Sequence, residues 1–318
     1  MRNTPTRLNG KYSKIEAWNN PTGASLCVYS LKAKGKARAV IHINHGLADH
    51  GGRYARFAQY LSKAGFHVYA HDHRGHGATT APDAPQGVFA AKDGWDTVLA
   101  DIKYVNSHIH KKHPNLPLIM FGHSMGGMLA YNYLLRWPET IDGAAIWNAA
   151  MSKSPLTVVL KLVLGIEKLF KGRTAISVVS KMTFETFNKA FKPNITSADW
   201  LSKDEAECRA YEDDPDGGWA PSVSMWQDLR RGIVFGANDT GLENVPKKLP
   251  IYILGGDADP SVEKGKATHD LYKRLETAGL SNVKLEVRKN GRHEALNEPK
   301  AERDAVMQRF VEWVNSVI

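Results

Sequence analysis

The sequence predicts an α/β protein in which helices cover both faces of a mostly parallel sheet and a helical insertion interrupts the chain. Three observations predict this fold. Short apolar runs alternate with helical patterns over residues 1–150, the alternation breaks over 151–235, and it resumes over 236–318. Such alternation indicates βαβ units, whose right-handed crossovers place helices on both faces of a parallel sheet. We therefore expect one core, formed by residues 1–150 and 236–318, and one insertion, formed by residues 151–235.

The strands of the first block are predicted by four short apolar runs. Each is long enough for a buried strand and is followed by a segment with a different pattern. The four runs lie at Ala39–Asn44, Phe66–His71, Leu116–Phe121 and Ala144–Asn148.

Helical periodicity separates these strands. The apolar residues of Arg53–Ala64 fall on one helix face, and Gly65 suits the position that ends a helix. From Trp95 to Ile109 apolar residues recur every three or four positions, which is typical of an amphipathic helix. A third helix is predicted over Met125–Arg136.

The same alternation returns after the insertion. Ile251–Leu254 and Val283–Arg288 predict two more strands, and Val262–Ala278 predicts a helix between them. A last helix is predicted over Pro299–Val317, with Pro299 at its first position, where a missing amide costs nothing.

Composition excludes several classes of protein. The chain has 318 residues, of which 42% are hydrophobic and 24% charged, so it is neither a disordered chain nor a fibre. The net charge of +9 comes from scattered lysines and arginines without interleaved aromatic residues, and we expect a solvated basic surface and no nucleic-acid partner. Cys27 and Cys208 are too far apart in sequence for a zinc ribbon.

The chain also lacks the usual sequence signals of export. Met1–Lys14 is polar and has no apolar core, so we expect no signal peptide. No apolar run reaches the length that a membrane-spanning helix needs. Together with the low cysteine content, this predicts a cytoplasmic protein, with peripheral membrane contact left open.

The segment Gly122-His123-Ser124-Met125-Gly126-Gly127 follows a predicted strand and opens a predicted helix. In this context Gly-x-Ser-x-Gly is typical of a strained turn that lifts a nucleophilic serine above the sheet edge. The Met125 amide would lie at a helix N-terminus, which favours negative charge. We predict Ser124 as the nucleophile and the Met125 amide as one oxyanion donor.

A serine nucleophile needs a base, and the base needs an orienting acid. His293 follows a predicted strand on a turn, whereas His269 lies within a predicted helix and is expected to face solvent. Because α/β sheets build sites in the loops after strands, we predict His293 as the base. Asp257 and Asp259 compete for the acid's role in the loop after the preceding strand. Asp259 lies deeper in that loop and is preferred, but the residues alone leave both open.

A second oxyanion donor is expected in the loop after the first predicted strand. That loop reads His45-Gly46-Leu47-Ala48-Asp49-His50. We predict the Leu47 amide as the donor, and His45 as a structural hydrogen-bonding residue without a catalytic role.

These segments resemble the α/β-hydrolase family, and within it the branch of monoacylglycerol lipases, bacterial lysophospholipases and serine aminopeptidase-like hydrolases. Five motifs in order carry the resemblance: His45-Gly46 with Gly52-Arg53-Tyr54, 72–77, 122–127, 256–259 and 291–294. The resemblance implies that Asp259 is the acid and that residues 151–235 form a helical cap. It also implies a serine hydrolase that cleaves carboxylic esters without a metal or an organic cofactor, and a structural role for residues 72–77.

The expected cap begins with a crowded apolar stretch from Leu156 to Ile166, interrupted by Lys161. It is too short to span a bilayer. Two interpretations stay open: its apolar face lines an acyl-chain channel or rests on a lipid surface, or it packs onto the core. The expected partner is therefore a small acyl ester, a lipid ester among the candidates.

Three alternatives to a lipid esterase remain. Within the hydrolases, the chain could be a serine aminopeptidase or another small-molecule acyl hydrolase. A metallohydrolase is suggested by His71-x-His73-x-x-His76, but Gly75 stands where the aspartate of that metal motif would be. A non-catalytic binding protein of this fold usually lacks a triad residue, whereas this chain keeps all three.

Overall fold

The computed structural model describes residues 11–318, apart from the side chain of Leu156. Most of the N-terminal segment that bears on a signal peptide lies outside these residues. One eight-stranded sheet forms the centre of the described chain, in the order β1-β2-β4-β3-β5-β6-β7-β8. The strands are β1 Lys14–Asn19, β2 Ser25–Leu31, β3 Ala39–Asn44, β4 Phe66–His71, β5 Leu118–His123, β6 Gly143–Trp147, β7 Ile251–Gly256 and β8 Val283–Arg288.

Helices cover both faces of this sheet. One face carries the core around Phe57 and Phe310, and the other carries the core around Leu129 and Leu275. Over residues 11–318 the α-helices are α1 Ala55–Lys63, α2 Gly94–Lys112, α3 Met125–Arg136, α4 Leu156–Lys171, α5 Val178–Lys189, α6 Glu205–Glu212, α7 Val223–Asn238, α8 Lys266–Thr277 and α9 Lys300–Val317.

The strands β3 to β8 all pair in parallel with one another, which confirms the predicted mostly parallel sheet. Their carboxyl ends meet at one edge, where the loops after β3, β5, β7 and β8 lie close together. β1 and β2 are antiparallel and were not predicted. β1 is a half-exposed edge strand whose polar residues interrupt the apolar pattern that identifies buried strands.

The predicted helix over Val262–Ala278 was wrong at its start. A short 3₁₀ turn spans Pro260–Val262, and α8 begins at Lys266. Glu263, Lys264 and Gly265 all have positive φ, which no α-helix tolerates in succession. The loop after β7 is therefore longer than the sequence pattern indicates.

Between β6 and β7 the chain forms the helices α4 to α7 and, among the described residues, one isolated β-bridge from Ile176 to Ser222. α7 contributes Met225 and Leu229 to the same apolar core as α3. It runs to Asn238, past the predicted boundary at 235. This arrangement fits the predicted cap, and we use that name for residues 151–235; the division into two domains stays a prediction.

Among the helices of residues 11–318, none has both the length and the apolar character needed to cross a bilayer.

Candidate active site

Ser124 occupies a strained turn between β5 and α3. Its backbone has φ 56° and ψ −122°, a region that residues with a Cβ rarely adopt. Such a conformation costs about 1–3 kcal/mol and persists only where the surrounding structure holds it. Here the Ser124 amide donates to the Trp147 carbonyl on β6 at 2.9 Å, and the Ser124 carbonyl accepts from the Met128 amide at 3.0 Å. The turn is thus fixed from both sides.

The glycines around Ser124 allow α3 to approach the sheet. A Cβ on Gly122 would lie 2.1 Å from the Gly126 carbonyl oxygen. A Cβ on Gly126 would lie 2.1 Å from the Asn44 carbonyl oxygen on β3. No side chain fits at either position without moving backbone.

His293 and Asp259 lie in hydrogen-bond contact. His293 Nδ1 is 2.8 Å from Asp259 Oδ2, and both side chains are buried. The other carboxylate oxygen, Oδ1, accepts from the amide and the hydroxyl of Ser261, while Asn148 donates to Oδ2 at 2.8 Å. Since an ionised carboxylate only accepts, Nδ1 carries the proton and Nε2 is left as a proton acceptor.

The charge on Asp259 is maintained despite its burial. Burial by itself raises the pKa of the carboxyl group, but attraction to His293 and hydrogen bonds from His293, Asn148 and Ser261 lower that pKa below its ordinary value. The carboxylate is therefore ionised at neutral pH and can stabilise a positive charge on the imidazole.

The competing carboxylate, Asp257, faces a different neighbour. Its side chain is exposed and accepts the Asn290 amide at 2.6 Å, so it supports the loop before His293. His269 is exposed on α8, as expected. Of the two aspartates, Asp259 contacts His293 and Asp257 contacts the loop before it. Of the two histidines, His293 is buried at the cavity and His269 is exposed.

The loop after β3, residues 45–50, lies against Ser124, and we refer to it as the oxyanion loop. A Cβ placed on Gly46 would lie 3.4 Å from Ser124 Cβ, so the two backbones are close. The next residue, Leu47, therefore lies beside the turn at Ser124. Asp49 accepts the Gly46 amide at 3.3 Å and the His50 amide at 2.7 Å, and so closes the loop on itself. Met125 begins α3 on the other side of Ser124.

A cavity of about 190 Å³ joins these groups. Ser124, His293, Leu47 and Met125 all line it. Most of its remaining wall is apolar. Met128 of α3 contributes to it, and much of the rest belongs to the cap: Phe184, Phe187, Trp200, Trp226 and Ile233.

The histidines of the motif His71-x-His73-x-x-His76 are buried, and so is His45. His45 Nδ1 donates to the Gly46 carbonyl at 2.8 Å, and Nε2 accepts the His73 amide at 2.9 Å. Burial lowers the pKa of His45 to about 3, so the ring is neutral. Over residues 11–318, no group of three or more His, Cys, Asp or Glu side chains is arranged to hold a metal ion.

Three residues at the site were missed by the sequence analysis. Asn148 and Ser261 both donate to Asp259, and the Trp200 ring lies 4.7 Å from the His293 ring, centroid to centroid. Asn148 follows β6 directly, so the rule that sites form after strands would have indicated it. Trp200 lies in an irregular part of the cap, and no local signal identifies it.

Three comparisons bear on identity. A family model described as serine aminopeptidase, S33, matches residues 35–300. The chain is 28% identical over 289 residues to monoacylglycerol lipase of Mycolicibacterium smegmatis, covering 88% of this chain and 89% of that protein. A thermostable carboxyl esterase from Bacillus coagulans has a TM-score of 0.85 at 24% identity, covering 96% of this chain and 98% of that chain. A monoglyceride lipase variant from Saccharomyces cerevisiae, in complex with a substrate analog, has a TM-score of 0.74 at 18% identity, covering 99% and 98%.

Proposed function

The chain belongs to the serine aminopeptidase S33 family of α/β-hydrolases. On this basis we propose that it is a serine hydrolase that cleaves the carboxylic ester bonds of lipids. The resemblance and the α/β-hydrolase fold predicted from the sequence are confirmed by these matches. The similarity to known lipases and esterases supports ester hydrolysis as the activity. The finer assignment, to a monoacylglycerol lipase- or lysophospholipase-like enzyme, is part of the proposal.

The observation that carries the proposal is the contact of the buried Asp259 with His293, which lines the same cavity as Ser124. The buried carboxylate fixes the imidazole with Nδ1 protonated, so that Nε2 can take the hydroxyl proton of Ser124. Without such a base a serine hydroxyl is a weak nucleophile. The strained turn at Ser124 supports the same interpretation, because strain of this kind concentrates at functional sites.

The proposed reaction has two halves. Ser124 Oγ bonds to the ester carbonyl carbon while its proton moves to His293 Nε2. The tetrahedral intermediate then expels the alcohol, which takes that proton from His293, and an acyl-enzyme remains. Water attacks the acyl-enzyme with His293 again accepting a proton, and collapse returns that proton to Ser124 and releases the acid.

Two amides are proposed to bind the oxygen that becomes negative in each intermediate. The Met125 amide lies at the N-terminus of α3, and the Leu47 amide lies in the oxyanion loop beside Ser124. Donors of this kind act on the transition state more than on the ground state. Loss of one typically costs about 10²–10³ in rate.

The walls of the cavity favour an acyl chain over a polar substituent. Phe184, Phe187, Trp200 and Trp226 present aromatic surface next to Ser124. Removal of apolar substrate surface from water contributes about 25 cal/mol for each Å² buried. A hydrocarbon chain therefore gains from these walls, whereas a charged group would lose its hydration there.

An aminopeptidase needs a carboxylate to receive the ammonium group of its substrate. Among the described residues that line the cavity, the carboxylates are Asp49 and Glu294. Both form ion pairs with Arg53, at 3.1 and 2.8 Å. Neither is free to bind an ammonium group, so we favour esters over aminoacyl amides.

The exposed face of α4 is proposed to contact a lipid surface. Leu164 of this helix is buried, so one face packs onto the fold. The opposite face exposes Leu162, Leu169 and Phe170, and the exposed Lys161 and Lys168 border one edge of it. An apolar face bordered by positive charge is typical of helices that rest on anionic membranes. Packing onto the fold thus accounts for one face of the helix, and contact with a lipid surface is our proposal for the other.

Paired substitutions test the proposed triad. Ser124→Ala, His293→Ala and Asp259→Asn are each compared with a matched variant of the same residue type, Ser281→Ala, His269→Ala and Asp257→Asn. We expect each triad variant to lose at least about 10³-fold in kcat/KM on p-nitrophenyl butyrate, and each matched variant to stay within about threefold.

A substrate panel tests the finer assignment. It compares monoacylglycerols, lysophospholipids, short esters and aminoacyl amides, and we expect lipid monoesters to give the highest kcat/KM. A fluorophosphonate probe should label Ser124 covalently. A Ser124→Ala variant with most of its activity would contradict the mechanism, and a tenfold preference for aminoacyl amides would contradict the substrate class.

A further inference from the structure

The oxyanion loop is contacted by a cap segment that supplies none of the proposed triad. This segment, residues 211–219, begins at the end of α6 and is called the cap strap below. The Ala48 carbonyl in the loop accepts two hydrogen bonds from it, one from the Gly218 amide at 2.9 Å and one from the Tyr211 hydroxyl at 3.2 Å. The cap thus holds the loop by its backbone.

A buried polar pair joins the same two segments. His50, at the end of the oxyanion loop, has Nε2 2.9 Å from Asp214 Oδ2 in the cap strap. The His50 side chain is buried, and that of Asp214 is 15% exposed. Asp214 Oδ1 also accepts the Asp216 amide at 3.0 Å, which fixes the carboxylate within its own turn. The Asp214 carboxylate is therefore held in place to bind His50.

Tyr211 reaches the other side of the site as well. Its ring lies 4.8 Å from the guanidinium carbon of Arg53. Arg53 binds both oxygens of Glu294 at 2.8 Å, and Glu294 is the residue after His293. Arg53 also binds Asp49 of the oxyanion loop at 3.1 Å. One cap side chain therefore touches groups that adjoin both the oxyanion loop and the proposed base.

The loop needs such external contacts because of its backbone conformation. Ala48 has φ 51°, in the left-handed region. For a residue with a Cβ this region is unfavourable, and surrounding contacts must hold it. Ala48 directly follows Leu47, the proposed oxyanion donor. A change at Ala48 would rotate the neighbouring peptide groups away from Ser124.

We propose that Tyr211 and Asp214 are positioning residues that hold the oxyanion loop from the cap, so that the Leu47 amide points at the reacting carbonyl oxygen. The inference rests on the proposed function, since it concerns the reaction of Ser124. It predicts that the cap affects the rate of the chemical step as well as substrate binding. In this respect it differs from a purely substrate-lining role for the cap.

The test separates the rate of the chemical step from binding. Tyr211→Phe removes one hydroxyl and keeps the ring, and Asp214→Ala removes the partner of His50. Asp213→Ala, which deletes the adjacent exposed carboxylate, is the matched control. With p-nitrophenyl acetate, which is too short to depend on the cap walls, we expect kcat to fall about tenfold in the first two variants. This is less than the loss of a whole oxyanion donor. KM should stay within twofold, and Asp213→Ala should match the wild type.

Two further readouts exclude a merely structural effect. A trifluoromethyl ketone forms a tetrahedral adduct with a negative oxygen, and its inhibition constant should rise by the same factor as kcat falls. Asp214→Asn keeps the acceptor for the Asp216 amide and offers His50 a partner, so it should restore most of the lost rate. Thermal unfolding midpoints should show that all variants are folded at the assay temperature.

The inference and the proposed function fail in different ways. If Ser124→Ala is inactive but kcat and ketone inhibition are unchanged in Tyr211→Phe and Asp214→Ala, only the positioning role is overturned. A rise in KM alone would also overturn it. Full activity of Ser124→Ala would overturn both.

Discussion

Replacement of the buried His76 should change how the stability of this protein depends on pH. His76 lies in the loop after β4, and its Nδ1 donates to the Arg74 carbonyl at 2.9 Å. Its ring stacks on Phe89, with the ring centroids 5.7 Å apart. Burial, together with repulsion from His45, lowers its pKa from 6.5 to about 3. The folded state therefore holds this imidazole neutral at pH values where the unfolded chain protonates it.

The sign and size of the effect follow from this difference. A lowered pKa means that the stabilising contribution is complete above pH 6.5 and is lost as the pH falls toward 3. At pH 4.5, two units below the unfolded pKa of 6.5, the loss is about 3 kcal/mol for this one group, since each pH unit contributes about 1.4 kcal/mol. The total free energy of unfolding of a domain is about 5–15 kcal/mol, so one such residue matters.

The variant His76→Phe removes the titrating group and retains an aromatic ring next to Phe89. It loses one hydrogen bond, worth about 1 kcal/mol, and that cost together with any packing strain is the same at every pH. We expect the free energy of unfolding, from urea denaturation followed by tryptophan fluorescence, to fall less steeply between pH 7 and 4.5 in the variant. The difference between the two curves should change by about 3 kcal/mol over that range.

Phe89→Leu is the control, because it perturbs the same contact without removing an ionisable group. Its curve should run parallel to that of the wild type. If the His76→Phe curve is also parallel, with only a constant offset, then His76 binds its proton equally in both states and the reasoning fails.

Three other predictions concern the site and the cap. Ser261→Ala removes the hydroxyl that donates to Asp259 at 2.7 Å, and steady-state kinetics should show about a tenfold loss of kcat with little change in KM. An unchanged kcat would contradict a role of Ser261 in orienting the acid. Phe184→Ala enlarges the cavity, and the optimum in an ester series should shift to longer acyl chains; an unchanged optimum would mean that the chain binds elsewhere. Phe170→Glu places a charge on the exposed face of α4, and sedimentation with anionic vesicles should show weaker binding, while activity on p-nitrophenyl acetate stays the same. Ile15→Glu, on the exposed side of β1, is its control, and equal losses in both variants would contradict a specific lipid-binding face.

The sequence predicted the parallel part of the fold well because buried strands are continuous apolar runs. β3 and β4 were predicted at their observed bounds. The edge strand β1 was missed, because four of its six residues are exposed to solvent and its pattern is not apolar. The start of α8 was also misplaced, since nothing in the composition of Glu263 and Lys264 signals positive φ.

The predicted site depended on a different kind of information. Ser124 was indicated by a turn that only certain residues can form, and such local constraints are visible in a sequence. The choice between Asp257 and Asp259 was not, because it depends on which carboxylate points at His293 across the sheet edge. Tyr211 and Trp200 contact the site from the cap, where packing between distant segments sets each position and leaves no periodic trace.

The cavity walls and the proposed reactive groups come from different parts of the fold, so substrate specificity can change without a change in the chemistry. The proposed reactive groups follow strands of the sheet, whereas Phe184 and Trp226 belong to helices inserted between β6 and β7. Mutation of those helices can remodel specificity while the chemistry stays in place. A cap taken from another protein would nevertheless need equivalents of Tyr211 and Asp214 that contact the loop after β3. A chimaera built without them should bind its new substrate and turn it over slowly.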